Sequence, residues 1–185
     1  TILPDDQARV AALRGGDVQN ADFLDHQAVQ PFEKDPAWKV YEVSTLTHAT
    51  TYINCSKGPL ADARVRQALS YAINRNDFLQ GAALGYGQVT GYIPASDKTW
   101  SIPTSELPTY TTNVDKAKQL LKDAGYANGF DVTLRVSPLY VLDTADAQIL
   151  QQQLKPIGVN VKIEQLEWGN LLDAWVKSDF EMLNI

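Results

Sequence analysis

The sequence predicts an α/β fold, and three stretches carry the prediction. "FDVTLRV", Phe130 to Val136, alternates apolar and polar residues, and "VNVKIEQL" repeats the alternation on Val159, Val161 and Ile163; this is the period of a half-buried strand. Between them Ala145, Ile149, Leu150 and Leu154 recur at helical spacing. Beyond them an amphipathic "GNLLDAWVKSD" leads to a final strand starting at Phe180. Strand, helix, strand, helix, strand is the order that gives parallel pairing through right-handed crossovers.

The earlier elements follow in order. "PDDQARVAALRGGDV" predicts a short helix started by Pro4 and Asp5 or Asp6 and stopped by Gly15-Gly16. "NADFLDHQAVQPFEKDPAWKV" reads as irregular, and "VYEVSTLTHATTYIN" as extended, from its β-branched and aromatic content. In "GPLADARVRQALSYAINR" Asp62 caps a helix whose inward residues are Val65, Ala68, Leu69, Ala72 and Ile73. A shorter helix, "NDFLQGAAL", starts at Asn76 or Asp77 and ends at Gly85. From Gly85 to Thr112 the chain reads as a long loop carrying Tyr86, Tyr92, Trp100 and Tyr110, and a helix from Asn113 to Ala124 closes on Gly125.

Composition excludes several function classes. With 16 basic against 22 acidic residues and a net charge of −6, scattered Lys and Arg offer no phosphate-binding patch, so no nucleic-acid partner is expected. No apolar run approaches the ~20 residues that span a bilayer. The opening "TILPDDQARV" lacks the features of a secretory signal. The apolar ends, Thr1-Ile2-Leu3 and "DFEMLNI", predict a piece of a longer protein.

Chemistry-bearing motifs are sparse. His26 and His48 have no ligand-type residue at metal spacing, so neither a metal nor a cofactor is expected. Cys55 reads as a half-buried small hydrophobe in the strand "TYINCS"; an intracellular α/β enzyme using Cys55 or a carboxylate pair is the alternative. There is no Gly-x-Ser-x-Gly elbow, Walker loop or GxGxxG, and the Asp5-Asp6 pair suits a helix start. A binder, not an enzyme, is the expectation.

Five collinear segments then carry a resemblance: "DDQARVAALRGGDV", "GPLADARVRQALSYAINRNDF", "GYGQVTGYIPAS", "VDKAKQLLKDAGYANGFDVTL" and "LQQQLKPIGVNVKIEQLEWGNLLD". In this order the chain resembles the family 5 extracellular solute-binding proteins of ABC importers, which include dipeptide, oligopeptide and nickel binders. The resemblance implies a periplasmic binding protein type II-like lobe, part of a two-lobed protein. Residues 1–55 would be the tail of lobe I with the hinge crossover, and 56–185 most of lobe III. It implies a monomer, periplasmic or lipid-anchored outside the cytoplasmic membrane, that captures a small molecule, a peptide among the candidates. Delivery would be to ABC permease subunits, and a non-transport receptor or chaperone on the same scaffold is a second alternative.

Arg64 and Arg66 are expected to tie their helix start to nearby carbonyls or carboxylates. Ligand contacts are expected beyond the carboxyl ends of the parallel strands. Trp168 matches the Trp of the family's Glu-Trp turn, with a place in the lobe core as the competing reading. Trp175 shares a helix face with Leu171, Leu172 and Val176, which favours packing. Tyr140 and Asp143 occupy the loop where dipeptide-binding relatives carry an arginine for the peptide carboxylate; no arginine stands between Ser137 and Thr144, which argues against strict dipeptide specificity. Asn184 completes the set of candidates.

Overall fold

The computed structural model describes residues 2–3, 5–22 and 24–185, so the expected roles of Thr1 and Pro4 lie outside the described residues. The chain forms two compact units, Thr1–Ser44 and Thr45–Ile185. In the first, α1 (Asp6–Gly15) is capped by the Asp5 carboxylate, which accepts from Ala8 N at 2.8 Å, and Gly16 closes it in the left-handed conformation. The stretch expected to be irregular contains α2 (His26–Glu33). Asp25 caps it through Ala28 N at 2.7 Å, and Ala28 and Phe32, four apart, are its buried face. Pro31 inside this short helix hides the pattern in the sequence.

The second unit is built on a four-stranded sheet of order β1 (Thr51–Ile53), β4 (Met182–Asn184), β2 (Phe130–Val136), β3 (Val159–Gln165). β2 is parallel to both β3 and β4, and β1 runs antiparallel to β4. The strand expected from Val40 to Asn54 is therefore limited to three residues: upstream of Thr51, Tyr41, Val43 and Leu46 are exposed and pair with no strand. β-branched content gives no strand without a neighbour to complete the ladder.

Helices α3 (Ala63–Ala72), α4 (Arg75–Gly81), α5 (Val114–Asp123) and α6 (Val141–Leu154) accompany the sheet, and α7 (Trp168–Val176) links β3 to β4. The core is one cluster: Val65, Ala68 and Leu69 of α3, Leu121 of α5, Val132, Leu134 and Val136 of β2, Leu150 and Leu154 of α6, and Val159 and Val161 of β3. Asp62 caps α3 through Arg64 N at 2.8 Å. Arg64 and Arg66 behave as tethers: Arg64 Nη1 donates to the Asp123 carbonyl at 2.6 Å, and Arg66 Nη1 to the carbonyls of Leu60 and Ala61, both at 2.9 Å. α4 begins earlier than expected, because Asn74 caps it, and ends at Gly81.

The loop after α4 is held at its far end. Arg75 stacks on Tyr110, 3.7 Å from the ring centroid, Ser70 Oγ donates to Thr109 O at 3.2 Å, and Asn113 N donates to Tyr71 O at 2.7 Å. At the sheet border, Gly158 O accepts from Phe130 N and Leu166 N donates to Val136 O. The even-numbered backbone groups of β3 therefore face β2, and those of Val161 face outward. There the Val161 carbonyl accepts from the Gln151 side chain of α6 at 2.7 Å.

Candidate functional site

The two parallel crossovers put their loops on one edge. β2 ends at Val136 and leads through "SPLY" into α6; β3 ends at Gln165 and leads into α7. Since β2 pairs with β3 up to Val136↔Gln165, the starts of α6 and α7 emerge side by side beyond the carboxyl ends. Tyr140, the N-cap of α6, and Trp168, the first residue of α7, meet there edge to face, with ring centroids 5.1 Å apart and planes at 76°. Tyr140 is 46% exposed, so the pair offers aromatic surface outward rather than filling the core.

Both helix starts lack a side-chain cap, in contrast to α1 to α5, whose Asp or Asn caps each accept a first-turn N–H. First-turn N–H groups favour acceptors such as carbonyl or carboxylate oxygens.

Asp143 lies in the first turn of α6, only 9% exposed, and burial pushes its carboxyl above the usual range. Asp146, one turn further, escaped the sequence reading. Its carboxyl is pushed up to about 7, by burial first and by the Asp143 charge second. The available signal was its place on the inward face, three residues from Asp143 and four before Leu150.

Asn184 reaches the same region but is already engaged. Its Oδ1 accepts from Thr51 Oγ1 at 2.7 Å and its Nδ2 donates to the Asp143 carbonyl at 3.2 Å, joining β1, β4 and α6. It braces the site. Trp175 is not brought to the Tyr140–Trp168 pair: it lies seven residues along α7, about 10 Å down the axis, and rests against Tyr52 of β1 with centroids 5.9 Å apart. Cys55, expected half-buried in a strand, is exposed just past β1, because the ladder to β4 ends at Ile53; its Sγ lies 3.4 Å from its neighbour's carbonyl, Ile53 O.

A hollow of about 280 Å³ lies elsewhere, on the polar face of the sheet among Lys57, Thr133, Arg135, Lys162, Glu164 and Glu181. Three of its charged groups are used internally. Arg135 Nε meets Glu164 Oε2 at 2.8 Å and its Nη1 reaches the Asp179 carbonyl, while Glu181 Oε2 accepts from Thr133 N at 2.7 Å. Among the described residues no group of three or more His, Cys, Asp or Glu could hold a metal ion, and no helix is long and apolar enough to cross a membrane.

Proteins of known sequence and structure are similar to this chain. The oligopeptide-binding protein AppA of Bacillus subtilis is 30% identical over 187 residues, covering 93% of this chain and 34% of its own length. The periplasmic binding protein DppA of Helicobacter pylori, solved with the peptide STSA, superposes with a TM-score of 0.82 at 28% identity, over 99% of this chain and 35% of that one. AgaA of A. tumefaciens R10, solved with agropinic acid, gives a TM-score of 0.78 at 26% identity, over 99% of this chain and 37% of that one. The chain thus spans about a third of the length of the relatives it matches. All of residues 1–185 match the family described as "Bacterial extracellular solute-binding proteins, family 5 Middle", and the chain belongs to the family 5 solute-binding proteins.

Proposed function

We propose that this chain is part of the solute-binding component of an ABC importer, which closes two lobes on a small molecule and delivers it to permease subunits. The observation that carries this reading is the Tyr140–Trp168 pair at the carboxyl edge of two parallel strands, in a chain that matches the family throughout. A rigid aromatic pair beside two open helix starts suits a molecule held by stacking and by hydrogen bonds to backbone N–H groups. Peptides are one candidate class, since relatives carry peptide-binding names or bound peptide. Trp168 and Tyr140 contact the solute in this reading; Asn184 and Trp175 support the lobe.

Residues 1–55 are assigned to the end of lobe I with the hinge crossover and 56–185 to most of lobe III. β1, within the crossover, is tied by its pairing with β4 into the sheet of the second compact unit, which begins at Thr45. The protein acts as a monomer outside the cytoplasmic membrane, periplasmic or lipid-anchored, and makes or breaks no covalent bond. An intracellular enzyme using Cys55 is not favoured, because the family is one of binding proteins.

Native mass spectrometry of the full-length protein, purified without denaturant, tests the reading. A discrete mass increment lost on unfolding is expected, together with contraction in small-angle scattering when the solute is restored. No increment, and no contraction across a panel of peptides, opines, sugars and metal chelates, overturns it.

A further inference from the structure

We infer that Asp143 and Asp146 form, with Tyr140 and Trp168, a subsite for a positively charged organic group of the solute, an ammonium or guanidinium. This rests on the solute-binding reading above and specifies the class of molecule it concerns.

The first observation is that the two carboxylates are unpaired. Asp143 is nine-tenths buried, and neither it nor Asp146 has a hydrogen-bond or ion-pair partner among the described residues. Buried carboxylates ordinarily sit with a cation or with donors. α6 packs against α3, α4, β2, β3 and the 3-10 turn Lys155–Ile157; Lys155 stands at the far end of α6, twelve residues beyond Asp143, and the cations of the other elements serve elsewhere. Arg64 is held by Asp62, Arg66 by the carbonyls of Leu60 and Ala61, Arg75 by Tyr110 and Ser70, and Arg135 by Glu164. Lys162 lines the hollow on the opposite face of the sheet; of the two remaining charges on these elements, Asp77 of α4 accepts from Gln153 at 2.6 Å and Asp131 of β2 from Asn160 at 3.0 Å.

The second observation is placement. Helical side chains tilt toward the helix N-terminus. Asp143, three residues after the Tyr140 cap, therefore leans toward the start of α6 where Tyr140 meets Trp168, and Asp146 follows one turn behind it. An aromatic face and a carboxylate pair together make a receptor for an organic cation, through cation–π attraction and charge-assisted hydrogen bonds. A divalent metal is the poorer fit, because no third ligand of the His, Cys, Asp or Glu type joins the pair among the described residues.

The test uses the full-length protein, titrated by calorimetry with Ala-Lys-Ala, Ala-Ala-Ala, Ala-Glu-Ala and spermidine. The expected result is that Ala-Lys-Ala binds at least about tenfold more tightly than Ala-Glu-Ala. Asp143→Asn and Asp146→Asn should each shrink that ratio severalfold, whereas Asp131→Asn on the opposite sheet face leaves it unchanged. Equal affinity for the three peptides, an unchanged ratio in both aspartate variants, or no binding of either Ala-Lys-Ala or spermidine at millimolar concentration overturns the inference. The two readings fail separately: a neutral or anionic solute found by native mass spectrometry leaves the transport reading standing and removes this one. Melting of the unliganded protein at pH 8 covers a structural role. If Asp146→Asn melts below wild type there, another part of the same chain pairs the carboxylate, and the inference fails.

Discussion

Gly129 offers the sharpest test of how the lobe places its aromatic edge. It precedes β2 with φ +76°, and a Cβ built there would stand 1.8 Å from Gly158 O and 2.5 Å from Gly158 C, both backbone atoms of the turn entering β3. An ordinary carbon–oxygen contact is above about 3 Å, so Gly129→Ala must push the two strand entries apart by more than about 1 Å. The left-handed backbone costs an alanine about 1–2 kcal/mol. The overlap adds about 1–3 kcal/mol. Loss of the first ladder bond, Phe130 N to Gly158 O at 3.2 Å, adds about 1 kcal/mol. The expected destabilisation is about 4 kcal/mol, a large share of the 5–15 kcal/mol typical of a domain. Gly125→Ala is the internal control: its φ is +90° but nothing lies within 4 Å of the added carbon, so only the backbone cost of about 1–2 kcal/mol applies. Urea denaturation followed by tryptophan fluorescence and far-UV circular dichroism measures both. Gly129→Ala within about 1 kcal/mol of Gly125→Ala would refute the argument that this approach sets the β2–β3 register.

Three further outcomes are expected. Trp168→Ala should weaken solute binding by about 2 kcal/mol, some thirtyfold, as loss of a central aromatic anchor does, whereas Trp175→Ala should leave affinity nearly unchanged and loosen β1; calorimetry and melting separate the two. Asp146 has a native-state pKa of about 7 against an ordinary 3.8, so the native state holds its proton more tightly than the unfolded chain. The stability this gives is fully present below pH 3.8 and is lost as pH rises through 7; after allowance for solvent screening, Asp146→Asn should gain about 2 kcal/mol over wild type at pH 8 and nothing at pH 3.5, read by denaturant titration at each pH. Asn184→Leu should cost about 2 kcal/mol by stranding Thr51 Oγ1 and the Asp143 carbonyl, and hydrogen exchange should show β1 opening first.

Much of the second unit was legible because local and global signals agree there. Asp62, Asn113 and Gly125 mark helix ends, and strict alternation in Phe130–Val136 and Val159–Ile163 fixes which face is buried; the structure follows these residue by residue. α2 was hidden by Pro31 and its brevity, and the segment before Thr51 misled because strand propensity describes a residue's fit to a sheet without supplying the sheet. At the site, the Tyr140–Trp168 meeting follows from parallel topology and was foreseeable. Asp146 had only its place on the inward helix face to mark it, since the pairing of the nearby cations elsewhere is visible only in the structure, and Asn184 turned out to brace three elements because its position in β4 puts it between β1 and α6.

The side chain of Gln151 on the Val161 carbonyl has a consequence for how this protein keeps its own company. Among the described residues β3 is the border of the sheet, seven residues long and without a neighbour on its outer side. Such a border is a template on which another chain can grow a strand. A newcomer needs the outward-facing acceptors in sequence, and one near the middle of the row is already occupied by a group rooted in the packed helix above it. Docking would first have to evict that amide and leave it without its partner. The helix that carries the acidic pair on its first turns thus guards, two turns later, against the sheet recruiting copies of itself.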